Sequence, residues 1–236
     1  YGVTWRPSFV PGLALSVDRY EIDIQDAIAS IGAQQTIDEC FKGAQTLCSL
    51  IERGANGQIF TIQTSPQNVA SYYQSGEDYE ISYQREGFGG DIALRLILSR
   101  LDKSVTTTLN AAPIDRTGQV AQGQSRPEWR GNFLASYRRG PLRLQLVETY
   151  VGGGTFDVTN MAARQGSFDD VEGQFITNVS ANYEMMDGKL EVYGTVNNLF
   201  DQDPPEVPAA LGTASTNMQL YSAIGMNFTA GVRFRY

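Results

Sequence analysis

The sequence contains no histidine, only two cysteines and no long run of apolar residues. The absence of histidine excludes a histidine-based zinc site and a serine–histidine–aspartate triad. No stretch approaches the roughly 20 consecutive apolar residues that a transmembrane helix needs, which excludes a helical membrane protein. A transmembrane β-barrel is not excluded by this absence, because only one face of each of its strands is apolar.

Positive charge is also scarce, with 18 lysine and arginine residues against 26 aspartate and glutamate residues. This acidic balance argues against a nucleic-acid-binding protein. The glycine triplet at 152–154 is not followed by Lys-Ser or Lys-Thr, so a phosphate-binding loop is not indicated. Carboxylates are plentiful, but no pair lies in a recognisable glycosidase setting. We therefore expect a protein that is not an enzyme and that holds no cofactor or metal.

What the sequence does contain is strict alternation of apolar and polar residues. In GMNFTAGVRFRY, the last twelve residues, every second side chain from Met226 to Tyr236 is apolar or aromatic. A period of two predicts a strand whose two faces meet different surroundings. The same alternation recurs along the chain and gives about nine strands, with charged residues repeated on the polar face. If that face lines a lumen, its candidate residues are Arg95, Arg130, Arg143 and Glu191.

The connections between these strands are of two kinds. Short turns near residues 7–12, 86–91, 138–141 and 185–188 alternate with long polar loops. Such an arrangement places all long loops at one end, as in an outer-membrane barrel with short periplasmic turns and a polar interior. Two alternatives remain open from the residues themselves: a passive pore or stand-alone small barrel, and a secreted β-sandwich with a dry core.

Several segments, in this order, resemble the C-terminal part of a TonB-dependent outer-membrane receptor. They are PGLALSVDRYEIDIQDAI, SGEDYEISYQ, VYGTVNNLFDQDPP and the closing strand GMNFTAGVRFRY. The resemblance covers essentially the whole chain and implies an all-β fold, an antiparallel up-and-down transmembrane β-barrel. Residues 1–236 would be the C-terminal segment, about nine strands, of a barrel of about 22 strands. The plug domain and the TonB box of such a receptor would then lie outside this segment.

The resemblance also assigns roles to individual residues. Cys40 and Cys48, which from their residues alone could be free thiols or a local disulfide, would lie in an extracellular loop, where a disulfide is favoured. The terminal strand resembles the signal read by the barrel-assembly machinery, carried here by Phe228, Val232, Phe234 and Tyr236. The family's C-terminal motif corresponds to Asn197, Asn198, Leu199, Phe200 and Asp201. We interpret this motif as a structural corner, because asparagine and aspartate satisfy backbone groups where a strand turns into a loop.

The function implied by the resemblance is TonB-energised uptake of a scarce ligand such as a siderophore, a vitamin or a glycan. Expected partners are that small-molecule or glycan ligand, outer-membrane lipid, the TonB complex through the plug, and the barrel-assembly machinery, but no nucleic acid. The expected location is the outer membrane of a Gram-negative cell. Candidate ligand contacts lie in the long loops at about 102–125, 152–173 and 202–220. For the four lumen candidates, a mutually paired or solvated wall residue is the favoured interpretation over a ligand contact.

Overall fold

The structure is a computed structural model that describes residues 1–64, 66–108, 112–159, 170–207 and 215–235. Strands dominate the described residues, and the two helices are short. In chain order the elements are β1 (Gly2–Trp5), β2 (Leu13–Ser30), α1 (Ala33–Phe41), α2 (Gln45–Cys48), β3 (Ile51–Arg53), β4 (Ile59–Ile62), β5 (Pro66–Gly87), β6 (Gly90–Thr108), β7 (Ile114–Asp115), β8 (Trp129–Arg139), β9 (Leu142–Val151), β10 (Gly154–Thr155), β11 (Asp170–Val171), β12 (Gln174–Met185), β13 (Leu190–Asn197) and β14 (Asn227–Phe234).

One antiparallel sheet organises the described chain. Its strands follow the order β1-β2-β5-β6-β8-β9-β12-β13-β14, and β7 pairs with β6 beside this path. The path holds nine strands, so the strand number expected from the alternation is confirmed. The strands of this path follow one another in the same order as in the chain, which is the up-and-down order of a meander. Within the described residues β1 and β14 do not pair with each other, so the sheet is open.

The connections along the path alternate between tight turns and long segments, as the sequence predicts. Phe88 and Gly89 alone join β5 to β6, and both have positive φ angles, 53° and 78°. Two consecutive positive φ angles are typical of the hairpin turn whose twist matches that of the flanking strands. The long connections follow β2, β6, β9 and β13. In an antiparallel sheet these are the strand ends that lie away from the tight turns.

The two faces of the sheet differ sharply in polarity. The strand register places Ile92, Tyr137, Leu144, Ala181 and Gly194 in one row, next to a row that begins with Leu94 and ends with Phe228. We call this side the apolar face. Many of its large side chains are solvent-exposed in the structure. Phe228 is 81% and Phe234 66% exposed. Exposed apolar surface of this extent marks an interaction with lipid or protein.

The opposite side, the polar face, carries the charged residues of the same strands. Asn182 lies opposite Arg143 in one strand pair, and Glu191 lies opposite Arg233 in another. The separation of the two faces is not complete, because Glu148 lies on the apolar face and accepts a hydrogen bond from Thr177. The prediction of strands with two different faces is therefore confirmed along β6, β8, β9, β12, β13 and β14.

Two strand boundaries differ from the sequence prediction. The loop expected from about residue 102 begins later, because β6 continues to Thr108. The segment 102–108 reads DKSVTTT, in which β-branched residues favour a strand although no apolar alternation is present. The strand pattern expected from residue 57 onwards is divided between β4, which forms a separate hairpin with β3, and the main-sheet strand β5.

The described chain divides into two compact units. The first contains Tyr1–Glu21, Ser75–Lys103 and Arg116–Tyr236, and the second contains Ile22–Gln74 and Ser104–Asp115. Both helices, the β3–β4 hairpin and a Cys40–Cys48 disulfide belong to the second unit, and the disulfide confirms the expected pairing. Neither helix has the length and hydrophobicity that a membrane-spanning helix needs, as judged over the described residues. In the second unit a hydrogen bond from Lys42 to Glu39 raises the pKa of the Lys42 ammonium.

Candidate functional site at the loop end of the sheet

Three long connections of the first unit pack against one another. Their described parts are named loop A (residues 116–128), loop B (152–159 and 170–173) and loop C (198–207 and 215–226). Val120 of loop A, Val171 of loop B and Val207 of loop C form a small apolar core, with exposures of 0%, 3% and 6%. Phe156 and Leu220 pack against it. The three loops therefore share one buried core instead of extending separately from the sheet.

Loops A and B are joined by Gln119, a polar residue that is almost completely buried. Its side-chain oxygen accepts hydrogen bonds from the backbone nitrogen of Val158 (3.1 Å) and from Arg116 (3.2 Å). The backbone of loop A continues this connection, because the nitrogen of Val120 donates to the carbonyl of Thr155 at 2.9 Å. A buried amide with these partners fixes the separation of two chain segments, since an unmade bond there is costly.

Loops A and C are joined by Asn217, whose exposure is 0%. Its Nδ2 donates to the carbonyl of Val120 at 2.6 Å and to the hydroxyl of Ser125 at 2.7 Å. Its Oδ1 accepts from the backbone nitrogen of Gln219 at 3.0 Å. The Asn217 carboxamide thus makes three hydrogen bonds inside the cluster. Two of them, to Val120 and Ser125, connect loop C to loop A.

The motif that the sequence singled out, residues 197–201, joins the end of β13 to the start of loop C. Asn198 is 4% exposed with φ +51°, and its side chain exchanges two hydrogen bonds of 2.9 Å with the backbone of Gln202. Asp201 also has φ +51°, and its Oδ1 accepts from the backbone nitrogen of Met226 at 2.6 Å. Asparagine and aspartate tolerate this left-handed conformation better than most residues. The geometry of Asn198 and Asp201 is that of a corner closed by its own side chains.

The other members of that motif make different contacts. Asn197 donates to the side chain of Asn227 at 2.9 Å, and the backbone nitrogen of Leu199 donates to the carbonyl of Thr177 at 2.8 Å. Phe200 is 66% exposed. In the terminal strand Phe228, Val232 and Phe234 all lie on the apolar face, whereas Tyr236 lies outside the described residues.

Three of the four lumen candidates have ion-pair partners on the polar face. Arg95 contacts Glu80 at 2.9 Å, and Arg143 contacts Glu184 at 2.9 Å. Glu191, with a side chain that is only 6% exposed, contacts two arginines of the terminal strand region, Arg233 at 3.0 Å and Arg235 at 3.1 Å. These pairs agree with the interpretation of mutually paired wall residues.

Arg130 differs from the other candidates. It is exposed, and the described part of the chain offers its side chain neither a hydrogen bond nor an ion pair. It interacts electrostatically with Tyr221 of loop C, a residue 3% exposed. Burial raises the pKa of the Tyr221 phenol, and the positive charge of Arg130 acts in the opposite direction. The Tyr221 hydroxyl is buried and finds no hydrogen-bond partner among the described residues.

A groove lies elsewhere, on the apolar face. Its volume is about 890 Å³, and it runs between strands β6 and β14 over small side chains such as Ala135, Ala181 and Ala230. Hardly any polar group lines it, so it offers nothing that could orient a polar ligand. We therefore locate the candidate functional site at the loop cluster and the adjoining polar face. No cluster of metal-ligating side chains occurs within the described ranges.

Sequence reasoning selected the loops as regions but missed the residues that hold them together. Gln119, Asn217 and Tyr221 occur in segments without any periodic pattern, and nothing in their sequence neighbourhood distinguishes them from solvated loop residues. Their one common signal is an uncharged polar side chain within a few residues of an apolar one, which is too frequent to be specific.

Comparisons with known proteins agree with this architecture. A family model described as TonB dependent receptor-like, beta-barrel, matches residues 1–199. A variant of the ferric enterobactin receptor from Pseudomonas aeruginosa is 14% identical, is matched over 98% of this chain and 29% of that chain, and gives a TM-score of 0.61. The FrpB iron transporter from Neisseria meningitidis is 16% identical, with 98% of this chain and 30% of that chain covered and a TM-score of 0.54.

These structural likenesses concern the fold, since the identities are low. The chain spans less than a third of the length of the solved receptors that it matches. No curated protein sequence matches it.

Proposed function

Because the chain belongs to the TonB-dependent receptor β-barrel family, we propose that it forms barrel wall and extracellular loops of an outer-membrane receptor. The receptor takes up a scarce ligand with energy delivered through TonB. The plug and the TonB contact belong to parts of such a receptor other than this segment. The chain itself does no chemistry, and it supplies the surface that the ligand meets first.

The observation that carries this proposal is the division of one sheet into an exposed apolar face and a polar face. A single sheet layer that exposes Phe228 and Phe234 has no protein core on that side. Transfer of each such side chain from water to an apolar medium contributes about 1.5–3 kcal/mol, so a lipid environment stabilises this face. The polar face then lines a water-filled or plugged lumen. A soluble β-sandwich would need a second large sheet over the apolar face, and besides the main sheet the described residues form only two-stranded sheets.

The ligand is expected to meet the loop cluster and the polar face below it. Two groups there have no partner among the described residues, the Arg130 guanidinium and the Tyr221 hydroxyl. Both can donate hydrogen bonds, and the arginine is always charged. The exposed Arg130 guanidinium therefore suits a ligand that presents anionic or carbonyl oxygens, which includes many metal chelates, and the buried Tyr221 hydroxyl would add a contact only if the loops open. A vitamin or a glycan with such oxygens would meet the same donors.

The terminal strand is proposed to serve assembly, and the corner motif is proposed to have a purely structural role. Phe228, Val232 and Phe234 lie on the apolar face of β14, and with Tyr236 they resemble the signal read by the barrel-assembly machinery. The edge of β14 that faces away from β13 is open in the described chain. In a closed barrel another strand covers such an edge, which would otherwise promote aggregation.

Uptake assays with the full-length receptor test the function. Cells that lack the receptor gene would be compared with cells that carry it, using radiolabelled ferric siderophores, cobalamin and oligosaccharides, with and without a protonophore. We expect accumulation of one ligand class that needs both the receptor and the proton gradient. Uptake that persists without the gradient would instead support the passive-pore alternative. A receptor found outside the outer-membrane fraction would contradict both.

A further inference from the structure

The turn between β3 and β4 carries the single Asn-Gly pair of the sequence, Asn56–Gly57. Every residue from Glu52 to Phe60 is exposed, so water reaches both members of the pair. An asparagine in this setting is chemically reactive, because the backbone nitrogen of the next residue can attack the carbonyl carbon of its side chain. Glycine lacks a Cβ atom and therefore leaves that nitrogen accessible.

The side chain of Asn56 is folded back over the Gly57 peptide. Its Oδ1 accepts a hydrogen bond from the backbone nitrogen of Gln58 at 3.1 Å, and its Nδ2 donates to Oε1 of Gln58 at 2.9 Å. The first bond closes a local ring that contains both Cγ of Asn56 and the nitrogen of Gly57, the two atoms that must join. It also places a donor on the oxygen that becomes negative during the attack.

A positive charge lies beside the attacking residue. Nη1 of Arg53 donates to the carbonyl of Gly57 at 3.0 Å, and this guanidinium forms no ion pair within the described part of the chain. The adjacent carboxylate, that of Glu52, accepts a hydrogen bond from Gln63 at 3.1 Å. The attacking species is the deprotonated nitrogen of Gly57, and a nearby cation favours an anionic form. The charge of Arg53 therefore favours the reaction.

The closed turn sets the pace of this reaction. The nitrogen of Gly57 donates to the carbonyl of Gly54 at 2.9 Å, and the nitrogen of Gly54 donates to the carbonyl of Gln58 at 2.9 Å. The first of these bonds must open before the nitrogen of Gly57 can attack. Exposed turn bonds of a short hairpin belong to the least stable hydrogen bonds of a protein and open locally at low cost. The fold therefore slows the attack and still permits it.

We propose that Asn56–Gly57 is a self-modification site at which the chain slowly converts Asn56 into aspartate and isoaspartate. The nitrogen of Gly57 loses its proton to hydroxide and forms a bond to Cγ of Asn56. The bond from Cγ to Nδ2 breaks, and this nitrogen takes up a proton from water and leaves as ammonia. Water then opens the resulting cyclic succinimide at either of its two carbonyls, which gives aspartate or isoaspartate.

The two products affect the hairpin differently. Both add a carboxylate to an already acidic chain. Isoaspartate also lengthens the main chain of the turn by a methylene group, so the bond between Gly57 and Gly54 no longer fits. The turn joins strands of three and four residues, which offer few other bonds to hold the hairpin. Isoaspartate should therefore loosen β3 and β4, whereas the variant Asn56→Asp, which adds the charge alone, should leave them closed.

The test incubates the full-length receptor in mild detergent at mildly acidic and mildly alkaline pH, followed by peptide mapping with mass spectrometry that distinguishes isoaspartate from aspartate. Asn132 is the internal control, since it is also exposed but precedes a phenylalanine in β8 and accepts a hydrogen bond from Thr149 at 3.1 Å. We expect conversion at Asn56 to accelerate with pH and to stay within about tenfold of the rate in a short synthetic peptide of the same sequence, because one exposed hydrogen bond must open. A rate at Asn56 no higher than that at Asn132 would overturn the proposal.

Variants of Arg53 test the part played by its charge. Arg53→Gln should slow the conversion about three- to fivefold, the effect of one exposed charge on a neighbouring ionisation. Arg53→Lys keeps the charge and should restore most of the rate, and high salt should remove the difference between the two variants. The matched control, Arg126→Gln, removes an exposed arginine that also donates to a backbone carbonyl, that of Ser125 at 2.7 Å. Equal rates at Asn56 in Arg53→Gln and Arg126→Gln would overturn the assignment of Arg53.

Discussion

Replacement of Asn217 by alanine should release loop A from loop C. The side chain makes hydrogen bonds of 2.6 Å to Val120, 2.7 Å to Ser125 and 3.0 Å to Gln219, and it is 0% exposed. A net hydrogen bond contributes about 1 kcal/mol, and a buried partner left without a bond costs about 1–3 kcal/mol. Because the Val120 carbonyl is buried and would lose its side-chain donor, we expect Asn217→Ala to destabilise the loop cluster by about 2–4 kcal/mol.

Hydrogen exchange followed by mass spectrometry on the intact receptor measures this effect directly. The amide of Val120, which donates to Thr155 at 2.9 Å, reports on the closed cluster. A loss of about 2–4 kcal/mol lowers its protection by a factor of roughly 30 to several hundred. Peptides from β12 and β13 should exchange as in the wild type, since the local opening does not involve their ladder.

Asn56 provides the matched control for this prediction. Like Asn217, Asn56 uses its side chain in hydrogen bonds, here two bonds to Gln58 at 2.9 and 3.1 Å. Unlike Asn217, it lies exposed in a turn. Asn56→Ala should change local stability by no more than about 0.5 kcal/mol. If Asn217→Ala leaves the protection of Val120 unchanged, or if both variants act equally, the three loops do not depend on the Asn217 carboxamide.

Four further outcomes follow from the described contacts. Reduction of the Cys40–Cys48 disulfide should destabilise the helical segment by about 2–3 kcal/mol, seen as faster exchange at 33–48, and unchanged exchange would contradict this. Asn198→Ala should lower the free energy of unfolding in urea by about 1 kcal/mol more than Asn198→Gly. Of the two replacement residues, glycine is the one that adopts φ +51° without strain. Glu191→Gln should lower the urea midpoint in the same assay, since it leaves two half-exposed arginines without a carboxylate, and an unchanged midpoint would contradict this. Tyr221→Phe should leave loop stability unchanged or raise it by about 1 kcal/mol, and a weakened ligand affinity would identify the hydroxyl as a ligand contact.

The strands with one apolar and one polar face are the part of the sheet that sequence reasoning predicts well. In β8, Phe133 and Tyr137 alternate with Asn132 and Ser136, because one face must be apolar and the other polar. The two surroundings impose a period of two, and that period can be read without any alignment. The family resemblance adds the corner at Asn198, whose residue type is set by its backbone conformation.

The extension of β6 to Thr108 could not be predicted in the same way. Where both faces of a strand meet polar surroundings, alternation is no longer required, and only a weak preference for β-branched residues remains. The loop cluster is harder still, because Gln119 and Asn217 are buried by segments far away in the sequence. The partner of Asn217 at Val120 is 97 residues away, and no local pattern encodes such a contact.

The interlocking of the loops restricts how loop A can move. Gln119 ties loop A to loop B, and Asn217 ties loop A to loop C, so loop A cannot move alone without breaking both sets of buried bonds. Breaking two or three of them costs about 2–4 kcal/mol, which limits an independently opened loop A to well below about a tenth of the molecules. Movement of loop A therefore involves its partners in loops B and C as well.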